Sequence, residues 1–166
     1  MINRSYLSRR SCRNFDTSKP IPKEYIDEIK TVINLSPTST NSQGFSAIFV
    51  SDYIIIFCAD FNRSVYAQEK NKQEVTIDGM SQFTINMVDV ALAAAAASIH
   101  ANTLGLGACF LGGLRSNADQ LVKPLNIEGK CLPVLGLAIG WPLGINPLQP
   151  KVNKCYDEKY KLDFVK

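Results

Sequence analysis

Histidine and tryptophan each occur once in this 166-residue chain. Cysteine occurs five times, at Cys12, Cys58, Cys109, Cys131 and Cys155, yet no CxxC pair exists. That removes the spacing expected of a zinc site or a thioredoxin-like redox centre. No run of Lys and Arg is longer than Arg9-Arg10, and the net charge is only +3, so nucleic acid is not an expected partner. HExxH, paired carboxylates and a Ser-His-Asp arrangement are all missing. If the chain is an enzyme, a cofactor must carry the chemistry. The start, Met1-Ile2-Asn3-Arg4, has no apolar signal core. With the odd, scattered cysteines, four of them in apolar surroundings, this points to a reducing cytoplasm.

Apolar residues make up 46% of the chain and charged residues 20%, which suits one globular domain with a real core. Residues 22–35 repeat Tyr25, Ile26, Ile29, Val32 and Ile33 at helical spacing, and Ser36-Pro37 ends that helix. Residues 46–51 and 54–59 read as strands, the second apolar throughout and so buried on both faces. Residues 62–76 are polar and weakly helical. An Ala-rich stretch, residues 85–106, is long enough to resemble a membrane span. Asn86, Asp89, Ser98, His100 and Asn102 argue instead for a buried helix ending at Gly105, and no membrane partner is expected. Its small side chains permit close approach of another helix, and a dimer core is one use of that. Strands follow at 108–111 and 132–139; between them Ser116 and Asp119 resemble a capping box. The alternation predicts an α+β fold, a mainly parallel or mixed sheet of four or five strands flanked by helices.

Three clusters carry candidate chemistry. Arg9, Arg10, Ser11 and Arg13 offer three guanidiniums and a hydroxyl within five residues, either an anion grip or a solvated basic turn. Residues 36–43 supply short hydroxyl and amide side chains that can bond polyol hydroxyls or the amide edge of a ring; a helix stop and turn would look the same. Gly112-Gly113, after a strand, lets backbone approach something flat or simply makes a sharp turn. His100 has no partner motif and reads as structural.

Taken in order, RRSCRNF, SPTSTNSQ, IIIFCADFNR, LGLGACFLGGLR and PVLGLAIGWP resemble the flavin-dependent nitroreductase family. The last three are most similar to its NADPH-preferring group of oxygen-insensitive nitroreductases and flavin reductases. The resemblance implies a homodimer with two sites for flavin mononucleotide (FMN) at the interface. It also implies a ping-pong reaction passing hydride from NADPH or NADH to nitroaromatics, quinones or free flavin. By the same resemblance Arg9 and Ser11 hold the FMN phosphate, and Arg10 contacts phosphate or ribityl. Arg13 is the cation beside the pyrimidine edge. Thr38, Ser39 and Asn41 come from the partner subunit, and Phe110, Leu111, Gly112 and Gly113 pack against the isoalloxazine. The alternative is a dimer of the same fold that binds or senses flavin without catalysis.

Two departures stand out. Ser51-Asp52-Tyr53 bridges directly where the family carries a helix and a Gly-Gly-Gln loop. After Pro150 a longer stretch with basic phosphate contacts, and then a C-terminal arm, are absent or unrecognisable. The domain therefore reads as residues 1–166 without two internal FMN loops and the arm, as a minimal form of the family or as a chain missing segments of it.

Overall fold

A computed structural model describes residues 4–77, 79–144, 147–151 and 154–158. The polar start at residues 1–3 and the tail from residue 159 lie outside the described residues. Helix α1 (Arg4–Ser8) precedes the arginine cluster, and α2 (Lys23–Asn34) follows it. The hairpin β1 (Phe45–Ser51) and β2 (Ile54–Asp60) leads to α3 (Asn62–Lys70) and the long α4 (Met80–Thr103). Strand β3 (Gly107–Leu111), a 3-10 stretch Gly112–Asn117, α5 (Ala118–Val122) and β4 (Cys131–Gly140) complete the described elements.

The sheet order is β1-β2-β4-β3, and every strand pair is antiparallel. The parallel component is smaller than the alternation of elements suggests. It is confined, among the described residues, to one bridge between Ser11 and Ala108. For β1 and β2 the reason lies at the first departure noted above. Asp52 and Tyr53 make a two-residue turn, with Ser51 opposite Ile54, so the chain reverses at once instead of crossing over. The Tyr53 carbonyl then accepts the Ile139 N–H, which ties the turn to β4.

Strand β2 is buried on both faces, as its apolar run predicts. Ile55, Phe57 and Ala59 enter one core with Ile26, Ile29 and Ile33 of α2 and Val90, Ala93, Ala94 and Ala97 of α4. Ile56 and Cys58 point the other way and are also buried. Helix α4 lies against α2, β2 and β4. It ends as expected: Gly105 takes φ 79°, and the Leu106 N–H reaches back to the Ala101 carbonyl. The expected capping box does not form. Asn117 holds the N-cap position of α5 with no side-chain cap bond, because the 3-10 stretch runs directly into the helix. The weakly helical segment ends at Lys70, well short of residue 76.

Helix α4 is long and apolar enough to cross a bilayer by length and composition. Its buried face nevertheless contains Asn86, Asp89 and Ser98, and it covers the sheet of this same chain. The opposite face carries Val88 (51% exposed) and Leu92 (43%), with Ala91 exposed between them and Ala95 half-buried just beyond. An apolar stripe at helical spacing is thus left uncovered by the chain itself.

Candidate functional site

The arginine cluster is fastened to the free edge of β3. The Cys12 N–H donates to the Ala108 carbonyl at 2.9 Å, and Phe15 bridges Pro142 on the far side. The fit is close: a Cβ on Gly107 would stand 2.6 Å from Cys12 Cβ. Only glycine lets the segment sit this near the strand. Arg9, Arg10, Ser11 and Arg13 line one cavity of about 130 Å³, joined by Gln149 and Lys151. Lys151 lies beyond the second departure from the family pattern, and only its tertiary position makes it a site candidate. The four cationic residues are not equivalent. Arg10 Nη1 donates to the Leu7 and Arg9 carbonyls at 2.8 and 3.0 Å, so it caps the end of α1. Arg9 and Arg13 make no such internal bond among the described residues.

Ser11 stands beside Ala108, two residues before Phe110, a rise of about 7 Å along the strand. Phe110 is 38% exposed, and Leu111 and Gly112 are partly buried. A Cβ on Gly113 would meet nothing within 4 Å, whereas one on Gly112 would approach the Arg115 guanidinium at 3.3 Å. An exposed aromatic ring and a bare backbone therefore lie close to the anion grip. The donor set fits a phosphate, and the open strand end fits a flat ring, so the residues present suit FMN.

Thr38, Ser39 and Asn41 lie elsewhere. Their loop holds three non-glycine residues at positive φ: Thr40 at 50°, Asn41 at 58° and Gln43 at 52°. Such backbone persists only where its surroundings fix it. Thr38 Oγ1 accepts the Gln43 N–H, and the Asp89 carboxylate accepts the Ser39 N–H at 3.1 Å. At the base of the loop Arg63 donates to the Phe45 carbonyl at 2.9 Å, to Ser46 Oγ at 3.1 Å and to Asp60 at 3.2 Å. The CADFNR segment is thus a structural pin for this loop. Thr38 and Asn41 line a second cavity of about 450 Å³ beside β1, which shares no residue with the first. From Ser11 across β3, β4 and β2 to β1 is four strand spacings, about 19 Å. The chain brings two of the three clusters together and holds the third at the opposite edge of its sheet.

His100 bonds Glu28 Oε2 at 3.0 Å, tying α4 to α2, which is the structural part expected of it. Away from the clusters, the Cys58 thiol hydrogen-bonds Cys131 and holds the Cys131 thiol below its ordinary range, while Cys58 is pushed up.

The sequence profile of the Nitroreductase family matches residues 6–82. An FMN reductase (NADPH) of Bacillus subtilis is 29% identical over 171 aligned positions, covering 89% of this chain and 68% of the relative. The structure of B. megaterium NfrA1 superposes with a TM-score of 0.89 at 30% identity, covering 96% of this chain and 75% of the other. The NfrA1 nitroreductase of B. subtilis gives 0.88 at 26% identity, with the same coverage.

Proposed function

This chain belongs to the nitroreductase family, and on that premise we propose that it is an NAD(P)H-dependent FMN oxidoreductase acting as a homodimer. One observation carries the shared-site reading. The anion grip and the strand end lie at one edge of the sheet, while the loop of Thr38, Ser39 and Asn41 lies beside β1 at the other, the sheet between them being about 19 Å wide. A second copy, docked through the uncovered stripe of α4, supplies the missing edge. In this reading Arg9, Ser11 and Lys151 hold the phosphate, Arg13 stands beside the ring, and Arg10 orients the turn that presents them. Phe110, Leu111, Gly112 and Gly113 form the floor for the ring, and the partner's copies of Thr38, Ser39 and Asn41 close it. When bound, FMN supplies hydride acceptance from NADPH or NADH and donation to a nitroaromatic, quinone or free flavin. Arg13 stabilises negative charge on the ring's pyrimidine side, and solvent at this open site supplies protons. One domain contains both halves of the site, and its thiols suit a reducing cytoplasm.

The test is spectroscopic. Protein incubated with FMN and desalted is expected to stay yellow with about one flavin per chain. Anaerobic NADPH or NADH should remove the flavin absorbance, and a quinone should restore it. Colour retained but unchanged by either nucleotide would favour the non-catalytic flavin-binding alternative. A colourless protein would overturn the reading.

A further inference from the structure

We infer that Asp89 is a positioning residue for the flavin site, holding the loop at residues 38–43 in its binding conformation from inside α4. The inference rests on the shared-site reading for what the loop contacts, and on the observed geometry for how it is held. Asp89 is 1% exposed, and its Oδ1 accepts the Ser39 N–H at 3.1 Å across fifty positions of sequence. Its Oδ2 is also buried and has no hydrogen-bond donor among the described residues.

A buried carboxylate with one bond is a poor stabilising device, because an unmet charged oxygen costs more than one hydrogen bond returns. Ser39 itself is exposed, and its bond to Asp89 is only partly buried. Folding alone therefore gives little reason for a carboxylate here. The strained backbone gives one. Thr40, Asn41 and Gln43 all sit at positive φ within four residues of the Ser39 anchor. Such strained conformations persist only where their surroundings fix them. Arg63 fixes the far end of this loop and Asp89 the near end. Val88, on the neighbouring position of α4, points outward into the apolar stripe. The helix that would meet a second copy thus also sets the loop that reaches that copy's flavin.

Stability and binding should then move in different directions. In Asp89→Ala the melting temperature of the flavin-free protein is expected to stay level or rise. Amide exchange in the loop at residues 38–43 should quicken about tenfold, and FMN affinity should fall about tenfold. Asp89→Asn keeps an acceptor for Ser39 and should retain wild-type loop exchange and affinity within about twofold. Unchanged loop exchange in Asp89→Ala would overturn the positioning assignment. So would a joint fall of melting temperature and affinity, the mark of a merely structural residue. Should wild type bind no FMN, the flavin reading fails by itself, and the exchange measurement still decides what Asp89 does to the loop.

Discussion

Leu92→Asp is expected to separate the dimer and strip it of FMN while leaving each chain folded. Leu92 is 43% exposed on the face of α4 that carries Val88, whereas the residues packed on the sheet, Val90, Ala93, Ala94 and Ala97, lie on the other face. The substitution therefore spares the core. At a helix–helix interface it removes about 1.5–3 kcal/mol of apolar burial. It also places an unpaired carboxylate where none can be solvated, at a further few kcal/mol. The dimer dissociation constant should weaken at least a hundredfold, about 2.7 kcal/mol. Sedimentation velocity over a dilution series, with flavin absorbance recorded together with protein, reads both consequences. Leu92→Met, similar in volume, is the control and should behave as wild type. A dimer that survives Leu92→Asp with its flavin would place the interface elsewhere.

FMN should bind far more tightly than riboflavin, which lacks only the phosphate. Arg9, Ser11, Arg13 and Lys151 surround one small cavity, and the phosphate brings a double negative charge to it. Two or three charge-assisted hydrogen bonds amount to about 2–4 kcal/mol, or roughly thirtyfold to a thousandfold in affinity. Arg13 and Lys151 are both exposed and screened by solvent, so the half-buried Arg9 should account for more of the difference. Fluorescence titration of both ligands against wild type, Arg9→Ala and Lys151→Ala is the measurement. Both substitutions should weaken FMN and leave riboflavin nearly unchanged, and added salt should narrow the gap. Equal affinities for the two ligands in wild type would remove the phosphate grip from the account.

How far these features were legible in the sequence depended on their range. The apolar run of β2 and the glycine stop of α4 are local, and both were readable, because burial on two faces and a left-handed C-cap each leave a mark in a few residues. The antiparallel order was not. For β1 and β2 it turns on Asp52-Tyr53, which carries no glycine or asparagine to announce a tight hairpin and looks instead like a missing loop. The capping box failed for a similar reason: Ser116 and Asp119 have the spacing, but the preceding 3-10 stretch moves the N-cap to Asn117. Site residues divided the same way. Arg9, Ser11, Phe110 and Gly113 stand out through motif and order. Lys151 and Asp89 join the site only through tertiary contact, and in the sequence Asp89 was legible only as a charge unsuited to lipid. Nor could pattern alone reveal that the loop at residues 38–43 and the arginine cluster occupy opposite sheet edges.

That separation gives the most direct test of the shared site. Arg9→Ala and Asn41→Ala each damage both sites of a homodimer, one through the phosphate grip and the other through the partner loop. Mixed and allowed to exchange subunits, they form about half heterodimers under random pairing. Each heterodimer then has one doubly damaged site and one in which both contributions are wild type. FMN titrated at concentrations that fill wild-type sites but not the variants' should show about a quarter of wild-type capacity returning on mixing. Capacity that stays at the level of the separate variants, while labelled subunits demonstrate exchange, would mean that each chain builds its flavin site alone and would contradict the account.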